Sequence, residues 1–178
     1  MLFRSERCTE ETLWPDLEAL PADAALPVFL NGVGGLGSPW WRTQMEPRYL
    51  DASPAPAGSP GSQPAATLVR FAALVESIAF MIAANAQLLE AQAGAPRRVL
   101  LAGGMSRSGW LCRRLAALLG LPVRVSDVEA SARGVAHLAA PELTARWQTA
   151  NAPEIHPQHD AALRARYERF IAAVAAAI

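Results

Sequence analysis

The residues best placed to do chemistry stand in one short run, Gly103-Gly104-Met105-Ser106-Arg107-Ser108-Gly109. They follow the apolar stretch 99–102 and precede a run with helical character. Two glycines at a strand end let the chain turn tightly and admit a ligand to the backbone with no Cβ in the way. A helix N-terminus just beyond adds free N–H groups, so the chemistry such a turn serves is the holding of a nucleotide. A merely tight turn would look the same, and Ser106 or Ser108 is equally suited to cap the helix. The dinucleotide fingerprint needs glycines spaced as GxGxxG and an acidic residue about 20 positions on. Gly103, Gly104 and Gly109 do not have that spacing, although Asp127 lies near the right distance, so a nicotinamide-cofactor reading carries little weight.

Other reactive side chains read more plainly. His156 and His159 flank Pro157 near Glu154 and Asp160, but the spacing matches no metal-ligand pattern and solvated loop polarity is the better reading. His137 is expected on the surface of a small helix. Cys8 and Cys112 are too few for a disulfide framework or a zinc site. Arg113 and Arg114 read as a solvated helix face, the alternative being that one of them reaches a phosphate, and Trp40 and Trp41 read as residues closing the core under a loop, the alternative being that they stack on a ligand.

The elements that must position the glycine turn follow from periodicity. Residues 68–89 place Phe71, Leu74 or Val75, Ile78, Ile82, Ala86 and Leu89 at spacings of three and four, the mark of a long amphipathic helix. Arg70, Glu76, Gln87 and Glu90 are assigned to its polar side; Arg70, Glu76, Asn85 and Gln87 argue against a membrane span. Short strands are expected at 26–30, 99–102 and 122–126. Helices are expected within 1–23, on Leu13, Trp14, Leu17 and Leu20, at 129–139, and at 160–178, on Leu163, Tyr167, Phe170, Ile171 and Val174. The Pro/Gly/Ser-rich segment 51–64 reads as a surface loop. This alternation predicts an α/β domain that is helix-rich with a small sheet.

Composition sets the outer bounds. The chain has 178 residues, 52% of them hydrophobic, and no net charge, enough to bury a sizeable core in one domain. All 16 cationic residues are arginine, which reads as a GC-rich coding sequence, and the absence of a basic cluster argues against nucleic-acid binding. The start, MLFRSERCTEE, has no apolar core of a secretory signal, so a cytoplasmic location is expected.

Three blocks, in order, carry a family resemblance. The stretch LLAGGMSRSGWLCRRLAALLGLPVRV with EASARGVAHLAA resembles the C-terminal domain of the FGGY carbohydrate kinases through Gly103, Gly104, Leu119, Gly120, Pro122, Val123, Glu129, Gly134 and Ala136. PVFLNGVGGLGSPWW is similar to that family's Gly-x-x-Ser/Ala-Pro-aromatic-Trp stretch through Gly34, Gly37, Ser38, Pro39, Trp40 and Trp41. VRFAALVESIAF resembles its Arg-Ala-x-x-Glu-Gly-Ile-Ala-Phe helix through Arg70, Ala72 or Ala73, Glu76, Ile78, Ala79 and Phe80. On this basis residues 1–25 are assigned as an N-terminal extension and 26–178 as the nucleotide-binding domain.

The resemblance implies a ribonuclease H-like, actin-type ATPase domain, truncated here and paired in complete enzymes with an N-terminal domain, with ATP and Mg²⁺ in the cleft between them. Gly103, Gly104 and Met105 would then approach the adenosine end of ATP through backbone, with Ser106 and Ser108 hydrogen-bonding there. Phosphoryl transfer to a sugar or polyol hydroxyl rests on positioning, Mg²⁺ and an aspartate base. That aspartate motif does not precede residue 26, Asp16 and Asp23 match no family motif, Arg42 replaces the aspartate after the Trp pair, and Arg133 stands where the family prefers leucine. The isolated chain is therefore expected to bind ATP weakly without catalysing transfer, and an exposed apolar cleft face leaves homo-oligomers open. The rival readings are a non-catalytic remnant acting as an interaction or regulatory module and an unrelated Rossmann-like cofactor binder.

Overall fold

The computed structural model describes residues 10–21, 24–50, 63–126, 130–144 and 154–177. In chain order these form α1 (Glu10–Glu18), β1 (Phe29–Leu30), β2 (Arg48–Tyr49), α2 (Gln63–Ala93), β3 (Val99–Leu101), a 3₁₀ turn (Gly104–Arg107), α3 (Gly109–Leu119), β4 (Val123–Val125), α4 (Ala130–Ala139), α5 (Pro141–Thr144), β5 (Glu154–Ile155) and α6 (Ala161–Ala176). The sheets are small, as expected. β1 and β2 pair antiparallel; β3 runs parallel to β4, in register Val99 with Val123 and Leu101 with Val125, and β5 closes antiparallel on β4.

The long helix extends beyond its apolar stripe, from Gln63 to Ala93. Gln63 and Pro64 therefore open the helix instead of ending the loop; proline is tolerated in a first turn because its missing N–H has no partner there anyway. Residues 51–62 lie outside the described residues. Gly94, at φ +83, ends the helix with its N–H on the Glu90 carbonyl, a left-handed stop that glycine adopts without a Cβ penalty. One helical stretch among the described residues, Ala66–Ala93, is long and apolar enough to cross a membrane, and half of its most apolar window is buried inside the fold.

That burial makes α2 the spine of the core. Phe71, Ala72, Val75, Ala79, Phe80 and Ala83 face Leu13 and Leu17 of α1, Val28 and Leu30 around β1, Trp110, Leu111, Leu115 and Leu118 of α3, and Leu163, Tyr167, Phe170 and Val174 of α6. Phe80 lies between the rings of Tyr167 and Phe170, at centroid distances of 5.6 and 5.4 Å. The C-terminal helix thus uses the face its spacing predicted, except that Ile171 is only half-buried.

Two assignments made from periodicity are reversed. Glu76, placed on the polar side of α2, is 1% exposed, and Arg114, read as part of a solvated face, is 8% exposed. Glu76 accepts from Arg114 Nε at 3.0 Å and from Arg166 Nε and Nη2 at 2.6 and 2.9 Å. The Arg114 guanidinium also lies over the Trp110 ring, 3.3 Å from its centroid. A buried carboxylate is tolerated when paired and fully hydrogen-bonded, and the triad ties α2, α3 and α6 at one point. Trp40 packs edge-on against Phe170 at 6.0 Å, as expected of a core-closing residue, whereas Trp41 is 74% exposed.

Candidate functional site: the glycine turn and its cleft

Gly103 ends the β3 segment at φ +99 and ψ 174, a conformation open in practice only to glycine. A Cβ at Gly103 or Gly104 would meet nothing within 4 Å, so the backbone here borders open space. The next four residues coil into the 3₁₀ turn. The Ser106 hydroxyl donates to the Gly103 carbonyl at 2.7 Å and is buried, which fixes the turn internally. Ser108 is the N-cap of α3, its Oγ accepting from the Leu111 N–H at 3.3 Å. Of the two serines suited to capping, Ser108 takes that role, worth about 1 kcal/mol for such a residue.

A cleft of about 360 Å³ opens beside the turn, lined by Gly104, Met105, Arg107 and Ser108 on one side and by Trp14, Pro15 and Glu18 of α1 on the other. Of the five residues singled out from sequence, Gly104, Met105 and Ser108 line it. Gly103 and Ser106 stand behind, shaping the turn. The α1 wall was not foreseen, although Trp14 and Glu18, four apart, share a helix face. Trp14 packs edge-on to Phe71 of α2 at 5.1 Å, anchoring that wall to the core.

Glu18 stitches the two walls. Its Oε1 accepts from the Trp110 N–H at 2.7 Å and the Ser108 hydroxyl at 3.2 Å, and its Oε2 accepts from Arg113 Nη2 at 2.9 Å. Burial pushes its pKa up, but the Trp110 N–H, the Arg113 charge and the Ser108 hydroxyl outweigh that and hold it below the ordinary value. Arg113 is thereby committed to an ion pair at the cleft margin, and Arg114 is buried in the Glu76 triad. Cys112 is buried, its thiol donating to the Ser106 carbonyl at 3.2 Å, and its pKa is raised, first by burial and then by Glu18. This describes a packing residue, inert as a nucleophile.

Elsewhere the polar residues stay apart. His156 and His159 are exposed, and among the described residues no three His, Cys, Asp or Glu side chains converge on a metal-sized point. Asp160 caps α6 by accepting from the Leu163 N–H at 2.8 Å. Asp127 and Cys8 lie outside the described residues.

Comparison with known proteins identifies the fold and the family. Glycerol kinase of Allorhizobium ampelinum is 38% identical over 130 residues, covering 68% of this chain and 24% of that protein. Glycerol kinase of Trichodesmium erythraeum is 33% identical over 113 residues, 62% of this chain and 21% of that one. Among solved structures, gluconate kinase of Lactobacillus acidophilus superposes with a TM-score of 0.72 at 18% identity, over 99% of this chain and 36% of its own. Xylulose kinase of Rhodospirillum rubrum gives 0.65 at 21% over 93% and 33%. Glycerol kinase of Plasmodium falciparum, solved with ADP, gives 0.64 at 19% over 95% and 33%. The fold is thus the actin-type ATPase fold, and the chain spans about a quarter of the curated relatives it matches. With residues 3–142 matching the model of the FGGY carbohydrate kinase C-terminal domain, the chain belongs to the FGGY family of carbohydrate kinases.

Proposed function

We propose that this chain is the ATP-binding lobe of a carbohydrate kinase, with the adenosine end of ATP lying along Gly103, Gly104 and Met105 and Ser106 and Ser108 shaping the turn beneath it. The observation that carries the reading is the open backbone at Gly103 and Gly104 beside a cleft of about 360 Å³. That volume falls in the range of small-molecule sites, and such sites are mostly apolar with a few placed polar groups. Trp14, Pro15 and Met105 supply the apolar surface, and Arg107 adds a cation. ATP, when bound, supplies the transferable γ-phosphoryl group. The described residues contribute binding and orientation.

The sugar or polyol substrate, its aspartate base and the Mg²⁺ site belong in this reading to a separate N-terminal kinase domain and to the phosphates. The carboxylate on the cleft wall, Glu18, already accepts from three donors, which leaves it poorly suited to a cation. The residue division into 1–25 and 26–178 is retained as a proposal, with α1 as the cleft wall inside the first part. A cytoplasmic setting is proposed with it.

A second reading, a non-catalytic interaction or regulatory module, is favoured by the cleft lining, which holds no aspartate among the described residues. Titration calorimetry with ATP and with NAD separates these readings. Weak, saturable ATP binding is expected, on the order of 0.1–1 mM or about −4 to −5.5 kcal/mol, because one wall of a two-lobed cleft buries only part of the ligand. Saturable NAD binding with no ATP response would overturn the kinase-lobe reading, and no response to either ligand would favour the module.

A further inference from the structure

The N-terminus of α3 is the strongest anion-seeking feature beside the cleft, because its first N–H groups have no partner within the helix and its dipole favours negative charge. In this chain the position is already filled. Glu18, on a helix more than 90 residues away in sequence, puts Oε1 on the Trp110 N–H at 2.7 Å and on the Ser108 hydroxyl at 3.2 Å. Its Oε2 takes Arg113 Nη2, from the first turn of α3, at 2.9 Å. The fit is close: a Cβ at Gly109 would stand 3.3 Å from Glu18 Oε2 and 3.0 Å from Arg113 Nη1. Three donors that a phosphate would use there, the Trp110 N–H, the Ser108 hydroxyl and Arg113 Nη2, are held by the protein's own carboxylate.

We propose that Glu18 is a positioning and specificity residue of the cleft: it occupies the N-terminus of α3 as a built-in anion, so that the cleft takes the uncharged end of a nucleotide and turns the phosphates away from that helix. The same three bonds join α1 to the glycine turn, so the carboxylate also holds the two walls at their separation. The identity of the ligand rests on the ATP-lobe reading; the exclusion of anions by Glu18 does not.

The test titrates inorganic phosphate and adenosine into the native chain, Glu18→Ala and Glu18→Gln, each checked for folding by circular dichroism. Removing the carboxylate frees the Trp110 N–H, the Ser108 hydroxyl and Arg113, so Glu18→Ala is expected to bind phosphate at least about tenfold more tightly than the native chain. Glu18→Gln, which keeps the shape and loses the charge, is expected to fall between them. Adenosine affinity is expected to drop in Glu18→Ala, since the α1 wall is no longer tied to the turn. If Glu18→Ala does not fold, Glu18→Gln alone decides. Phosphate affinity equal to that of the native chain in the folded variants overturns the proposal. Absence of adenosine binding by the native chain would count against the ATP-lobe reading alone, because the phosphate comparison needs no nucleotide.

Discussion

Glu18 and Gly103 show how differently two residues of one cleft can be read. Gly103 announces itself, because a glycine pair after an apolar run implies a backbone that a side chain would obstruct, and it adopts φ +99. Glu18 is silent in sequence, one acidic residue on a short helix, until folding brings it to Ser108, Trp110 and Arg113. Its ionisation then bears on stability. Its pKa lies below the ordinary 4.5, so its contribution to stability is fully present above that value and is lost as pH falls through the depressed folded value. Urea unfolding of the native chain and Glu18→Gln as a function of pH checks this. The stability advantage of the native chain is expected to be constant above about pH 5.5 and to shrink as pH falls through 4.5 and below. An advantage that grows on acidification would show the sign to be wrong. Because Glu18 is partly exposed, the effect is expected to be small.

The elements follow their apolar spacing closely where they are long. α2 and α6 were legible because several turns of periodic side chains leave one face to bury, as Phe80, Tyr167 and Phe170 do. The strands were legible only as apolar runs, since two or three residues carry too little pattern to fix their ends, and β2 and β5 left no signal. Glu76 was misread for a further reason. A carboxylate on a helix is assigned to water unless its partners are known, and those partners, Arg114 and Arg166, lie 38 and 90 residues away. Its place inside the triad makes it the weak point of the helix packing. Glu76→Ala leaves two arginines buried without a counter-charge and is expected to cost about 3–5 kcal/mol, a large share of the roughly 5–15 kcal/mol that holds a domain of this size. Thermal or urea unfolding measures it, and a loss under about 1 kcal/mol would mean that the triad is solvated.

Taken whole, the molecule carries the core of an actin-type ATPase domain, with several large apolar side chains exposed. No residue of α4 is buried; Val135 and Leu138 are 68% and 84% exposed, and Leu100 on β3 and Leu143 on α5 are 54% and 73% exposed. The chain spans about a third of the solved kinases it superposes on. The family could be read from the glycine turn, the Ser-Pro-Trp-Trp stretch and the α2 block, because those residues hold backbone conformations and packing that few alternatives satisfy. The α1 wall could not, because it is made by contact across the fold.

The most direct measurement of the nucleotide's place is photolabelling of the chain with 8-azido-ATP followed by peptide mapping. Label on the glycine turn, at Gly103 to Ser108, or on the facing α1 wall around Trp14, suppressed by excess ATP, is the expected result; ATP-protected label confined to other segments would contradict it.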